Sequence, residues 1–113
     1  MKVEFLVLPN GKSPVEVFLD SLDDKTLAKV YRYLEVLENT GSLPFPHARK
    51  MKGCDGLWEL RVTSPKGGVR IFYVYAEKNK TVLISGFIKK SQKTPQKEIN
   101  RALELLKTAG VKL

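Results

Sequence analysis

Cysteine and histidine are nearly absent from this sequence, which has one of each among 113 residues. Cys54 therefore has no partner for an internal disulfide, as is typical of proteins in reducing compartments. Neither a cysteine nor a carboxylate group stands at ligand spacing from His47, so we expect no zinc site, although His47 stays open as an acid or a base. A P-loop, a GxGxxG motif and a Ser-His-Asp arrangement are also missing, and we expect no metal and no small-molecule cofactor.

Long apolar runs are missing as well. No stretch of the sequence approaches the roughly 18 apolar residues that span a bilayer. The N-terminal residues lack the long apolar segment and small-residue cleavage site of a signal peptide. We therefore expect a cytoplasmic protein with no membrane partner. The length predicts a single domain over residues 1–113 that buries a core without disulfides or metal.

Acidic residues are scarce in the second half of the chain. Residues 1–56 carry eight basic and eight acidic side chains, whereas residues 57–113 carry twelve basic and four acidic ones. The formal net charge of +8 therefore belongs to the second half. A basic surface of this kind most often binds phosphate, either on nucleic acid or on an anionic membrane.

Local signals predict one strand and two helices before residue 42. Residues 3–8 are apolar and β-prone and end at a Pro-Asn-Gly turn, which predicts a strand. Ser13 and Glu16 have capping-box spacing and predict a short helix. A longer amphipathic helix begins near Asp23 and ends at Gly41. We expect both helices to pack on one face of a sheet.

Prolines and glycines predict a loop over residues 42–56, which carries the basic cluster Arg49, Lys50 and Lys52. Three strands joined by tight turns follow, at residues 57–63, 69–76 and 81–88. The period of two places Leu60 on the core face of the first of these strands and Glu59 and Arg61 on the other face. Gly86 predicts a bulge or a close approach in the third.

The last helix is predicted to have Thr94 as its cap and Pro95 as its first residue. A lysine-rich run over residues 89–97 precedes and opens this helix, where free N–H groups and the positive dipole end favour an anion. The fold class is therefore α+β: two N-terminal helices packed on a four-stranded, mostly antiparallel sheet, plus a C-terminal helix.

Cations and tyrosines of the second half could grip a phosphodiester and offset the charge that grows in its transition state. Cleavage of RNA also needs a base for the 2′-hydroxyl and an acid for the leaving oxygen. A lysine among like charges can act as such a base. By composition alone, the alternative of a basic sheet that merely binds nucleic acid or an acidic protein stays open. The side chains concerned are Arg61, Arg70, Tyr73, Tyr75, Lys89, Lys90 and Lys93.

Four sequence segments resemble the phage-derived, HigB-like branch of the RelE/ParE toxin superfamily. They are LWELR, RIFY, GFIKKSQKTP and a helix of the form EIxxA, and together they lie between residues 57 and 106. The resemblance implies a RelE-like fold and a type II toxin. Such a toxin cuts messenger RNA in the ribosomal decoding site, leaves a 2′,3′-cyclic phosphate, and is held inactive by a helix-turn-helix, HigA-like antitoxin.

Roles follow from this resemblance. Arg61, Arg70 and Lys90 match catalytic basic positions. Glu59 stands where RelE has a lysine, so it either serves as a base or pairs with Arg61, and Tyr73 is the other candidate for proton transfer. The RNA-binding set is predicted to be Lys89, Lys93, Lys97, Arg49, Lys50 and Lys52. The rivals are a ParE-like toxin that inhibits gyrase and a non-catalytic nucleic-acid-binding protein, whose binding would weaken steeply with salt.

Overall fold

The computed structural model of the protein describes residues 1–54, 56–90 and 93–112. Five strands form one sheet in the order β1-β5-β4-β3-β2, in which β1 and β5 are parallel and the other pairs antiparallel. The elements in chain order are β1 (Lys2–Phe5), α1 (Pro14–Asp20), α2 (Asp24–Thr40), β2 (Ala48–Lys50), β3 (Trp58–Ser64), β4 (Gly67–Ala76), β5 (Lys80–Lys89) and α3 (Gln96–Ala109).

The α+β fold class is confirmed, but the sheet has five strands and not four. The additional strand is β2, which lies inside the segment predicted to be a loop and pairs with β3. Ala48 of β2 is buried in the core opposite Leu60. Three residues are too few to show an alternating pattern, so only the pairing with β3 identifies this strand.

Helices α1 and α2 lie on one face of the sheet, as predicted. Their buried residues, among them Val15, Val30 and Leu34, form a core cluster with inward-facing side chains of β3, β4 and β5. Gly86 of β5 makes the predicted close approach, because a Cβ atom there would meet the Phe18 ring of α1 at 2.3 Å. This absence of a side chain lets α1 pack directly on the strand.

Helix α3 lies on the opposite face and packs principally against β5. Ile99 and Ala102 of α3 belong to a second core cluster, with apolar residues of β4 and β5. The prediction of Thr94 as the cap was wrong: the N-cap position is Pro95, and no side chain caps this helix. The Thr94 hydroxyl instead bonds a carboxylate in the sheet. Within the described ranges, no helix is both long and apolar enough to cross a membrane.

Candidate phosphate-binding site

Strand β3 and its neighbours present a charged cluster on the α3 face of the sheet. Leu60 and Val62 of β3 point into the core beneath α1 and α2, so Glu59 and Arg61 project from the opposite face. The antiparallel register then sets Arg70 of β4 directly opposite Arg61. The fold thus brings together three side chains that are up to eleven positions apart in the sequence.

Glu59 lies at the centre of this cluster, with only 1% of its side chain exposed. Its Oε1 atom is 3.8 Å from Arg61 Nε and 3.9 Å from Arg70 Nε, so one carboxylate oxygen faces two guanidinium groups. The other oxygen, Oε2, accepts a hydrogen bond of 2.8 Å from Thr94 Oγ1. Glu59 therefore pairs with Arg61, as one of its two predicted roles required, and also with Arg70.

Arg70 is mostly buried beside Glu59, with 12% of its side chain exposed. Its Nη1 atom donates a hydrogen bond of 3.0 Å to the Val69 carbonyl. A Cβ atom on Gly68 would meet the guanidinium group at 2.6 to 2.9 Å, so the space for this group exists because residue 68 is a glycine. Burial, followed by the neighbouring charge of Arg61, lowers the pKa of Arg70, and Glu59 opposes this shift.

Lys89 and Arg49 complete the cationic cluster. Lys89 pairs with Gly68 in the register, two residues from Arg70, and Arg49 of β2 lies opposite Glu59. Burial lowers the pKa of Lys89, and the charge of Glu59 opposes this shift. The charges of Arg70, Arg61 and Arg49 lower the pKa further. A lysine in such surroundings loses its proton more readily than an isolated one, which suits it to accept a proton.

A cavity of about 210 Å³ opens next to the two arginines. Its walls include Tyr33 of α2 and the segment before β2, where the His47 ring lies tilted against the Tyr33 ring with centroids 4.8 Å apart. The His47 carbonyl accepts a hydrogen bond of 2.8 Å from the Arg61 backbone N–H. His47 was not predicted to lie at this site, because its closeness to Arg61 depends on the pairing of β2 with β3.

Tyr73 is not brought to this site. It lies three residues after Arg70, so its side chain projects from the opposite face of β4, where it is fully buried in the core with α1 and α2. Its ring packs on Trp58 and Tyr75. Burial, and then the nearby Tyr75, raises the pKa of Tyr73 well above its usual range. These surroundings contradict the prediction that Tyr73 transfers a proton in the cluster.

The remaining predicted cations lie at exposed positions. Lys50 pairs with Trp58, on the face that carries α1 and α2, and is therefore separated from Arg49 and Glu59. The side chains of Lys52, Lys90, Lys93 and Lys97 are exposed. The bond between Thr94 and Glu59 holds the chain next to Lys93 against the cluster, ahead of α3. Residues 91 and 92 of the lysine-rich run lie outside the described residues.

The described residues contain no group of three or more histidine, cysteine, aspartate or glutamate side chains placed to hold a metal ion. The positive charge of the cluster is carried by guanidinium and ammonium groups. Such groups bind phosphate oxygens by charge-assisted hydrogen bonds, and arginine does so with a planar fork.

No curated protein matches the chain in sequence. A family model described as phage derived protein Gp49-like (DUF891) matches residues 17–107, which include all the elements from α2 to β5 and most of α3. The match therefore spans every residue of the charged cluster. On this basis the chain belongs to the phage-derived Gp49-like family, which is part of the RelE/HigB-like toxin superfamily.

Proposed function

We propose that the protein is the toxin of a type II toxin-antitoxin pair and that it cuts messenger RNA on the ribosome. The observation that supports this most strongly is the convergence of Arg61, Arg70 and Lys89 around the buried Glu59 carboxylate, with both arginines lining a cavity. The family membership supports a toxin in general. The cationic cluster supports chemistry at a phosphate.

The proposed reaction is an attack of the ribose 2′-oxygen on the adjacent phosphorus. The bond between the 2′-oxygen and phosphorus forms while the bond to the 5′-oxygen breaks, which leaves a 2′,3′-cyclic phosphate and a free 5′-hydroxyl. Arg61 and Arg70 hold the phosphate and offset the charge that accumulates on its oxygens. Lys89, as the neutral amine, accepts the 2′-hydroxyl proton, and the Lys90 ammonium group returns a proton to the leaving 5′-oxygen.

Glu59 acts in this proposal as a positioning residue. Its buried carboxylate faces both arginines and accepts from Thr94, so it orients the two guanidinium groups and fixes the chain ahead of α3. A free base would need an accessible oxygen, and the Glu59 side chain is almost fully buried. Arg49, Lys93 and Lys97 extend the binding surface for the flanking RNA, since phosphate contacts position a nucleic acid without reading its sequence.

The proposed partners are messenger RNA in the ribosomal decoding site and a cognate antitoxin of the helix-turn-helix, HigA-like kind, encoded beside the toxin. A ribosome-dependent enzyme works in the cytoplasm. Lys50 lies in β2 at the edge of the sheet, on the face opposite the cluster, and Lys52 lies in the turn that follows β2. The contribution of both lysines to RNA binding stays a prediction.

Primer extension on a translated message after induction of the protein tests the proposal. We expect cuts at ordered positions within codons, and no cuts in a matched message whose start codon has been removed. Arg70→Ala and Lys90→Ala should each abolish the cuts and relieve growth arrest, whereas Lys12→Ala, in the turn before α1, should leave both unchanged. Growth arrest without any cut would contradict the enzyme and favour a gyrase-directed toxin.

A further inference from the structure

The cavity beside Arg61 and Arg70 has a lining that the phosphate chemistry does not use. Tyr33, Pro46 and His47 form one side, and the two arginines line it as well. The contact between the Tyr33 and His47 rings and the hydrogen bond from Arg61 to the His47 carbonyl fix this side of the cavity relative to β3. The cavity thus combines flat, partly apolar rings with cations.

This combination matches one chemical group in particular. Unpaired bases of RNA stack on tyrosine, phenylalanine and histidine rings and on the planes of arginine guanidinium groups, and their phosphates bind to the same cations. Phe45, the residue before Pro46, is 77% exposed, which places a further aromatic ring at the surface of this segment. The volume of about 210 Å³ is below the roughly 300 to 1,000 Å³ of typical ligand pockets, so it suits one base and not a larger ligand.

We propose that this cavity is a nucleobase subsite, in which Tyr33 and His47 stack against the unpaired base next to the phosphate held by Arg61 and Arg70. The inference rests on the proposed function, because that function supplies the RNA. It adds a specific role for His47 and Tyr33: they fix the rotation of the nucleotide about its phosphate.

A titration of the full chain, followed by NMR, tests the subsite. The single histidine of the sequence provides one resolved imidazole signal inside the cavity. The two probes are a ribonucleoside monophosphate and ribose 5-phosphate, which carry the same phosphate and differ in the base. We expect the nucleotide to bind about tenfold more tightly, as stacking of one base implies. It should also shift the imidazole signal by its ring current, whereas ribose 5-phosphate should not.

Matched variants locate the effect. Tyr33→Leu and His47→Gln should each remove most of the tenfold preference for the nucleotide, with affinity measured from the Arg61 backbone amide signal. Tyr31→Leu provides the control, because Tyr31 is an exposed tyrosine on the same helix outside the cavity lining. His47→Gln changes a half-buried residue outside the helices and strands and so tests the subsite even if Tyr33→Leu loosens the packing of α2.

Equal affinities for the two probes, or a preference that survives both variants, would overturn the subsite while leaving the phosphate site intact. Failure of both probes to bind would also overturn it. The primer-extension experiment judges the proposed cleavage separately, since it needs no base preference.

Discussion

The two faces of the sheet differ in what covers them. Helices α1 and α2 close one face with an apolar core. On the other face, α3 packs principally against β5, and β3 and the start of β4 carry Glu59, Arg61 and Arg70 there. Strand β3 contributes side chains to both faces, because its successive residues point to opposite sides of the sheet. Both faces contain an apolar core, but only the face that carries α3 also holds a buried carboxylate with its two arginines.

Substitutions at Arg70 and its neighbour Ile71 test the difference between the two faces most directly, since the two residues are adjacent in β4 and project from opposite faces. Arg70→Ala should lower the rate of RNA cleavage by about 100- to 1,000-fold, as does the loss of one donor to a developing anion. Ile71→Val, in the core, should lower the free energy of unfolding by about 1 kcal/mol and leave the cleavage rate of the folded protein unchanged. Single-turnover cleavage and urea unfolding measure the two effects.

Substitutions at two glutamates test how much burial of an ion pair contributes to the free energy of unfolding. Glu59→Gln leaves two arginines facing each other without a buried counter-charge, and we expect the free energy of unfolding to fall by about 3 kcal/mol. Glu4 contacts Lys2 and Lys80 at 3.5 and 3.6 Å in a solvated position. Glu4→Gln should therefore cost less than about 1 kcal/mol. Equal losses in urea unfolding would show that burial does not distinguish the two sites.

Lys89 provides a test through pH. Because its pKa is lowered, the neutral amine is available at a lower pH than for an ordinary lysine. Cleavage should accelerate as the pH rises through the pKa of Lys89 and level off above it. Lys89→Met should lower the rate by about 100-fold and remove this rise. The control Lys12→Met should keep the rise of the wild-type protein. If Lys89→Met keeps the same rise, the titration belongs to another group.

A substitution at Gly68 should slow cleavage less than a substitution at Arg70 or Lys89. Gly68→Ala introduces a Cβ atom that forces the Arg70 guanidinium group to move, and we expect cleavage to slow by about tenfold. In a double-mutant cycle, Gly68→Ala should have no further effect once Arg70 is alanine, because the two changes act through the same group. An undiminished tenfold effect in the double mutant would mean that Gly68 acts independently of Arg70.

Short-range patterns determined most of the fold. The three central strands, both N-terminal helices and the alternation of Leu60 with Glu59 and Arg61 followed from local periodicity and capping signals. The same periodicity contained a signal that was not used: Arg70 and Tyr73 are three residues apart in one strand, so they cannot share a face. Local patterns are informative here because each depends on only a few neighbouring residues.

Pairing between distant segments decided the rest. The three-residue strand β2 exists only because β3 lies beside it, and that pairing brings Arg49 opposite Glu59 and the His47 carbonyl to Arg61. Thr94 has the sequence character of a helix cap, yet its hydroxyl bonds Glu59, 35 positions away. The sequence by itself determined which residues alternate along each strand. Only the tertiary structure decided which charges meet, because burial of the Glu59 carboxylate between two arginines requires β3 and β4 to pair in one register.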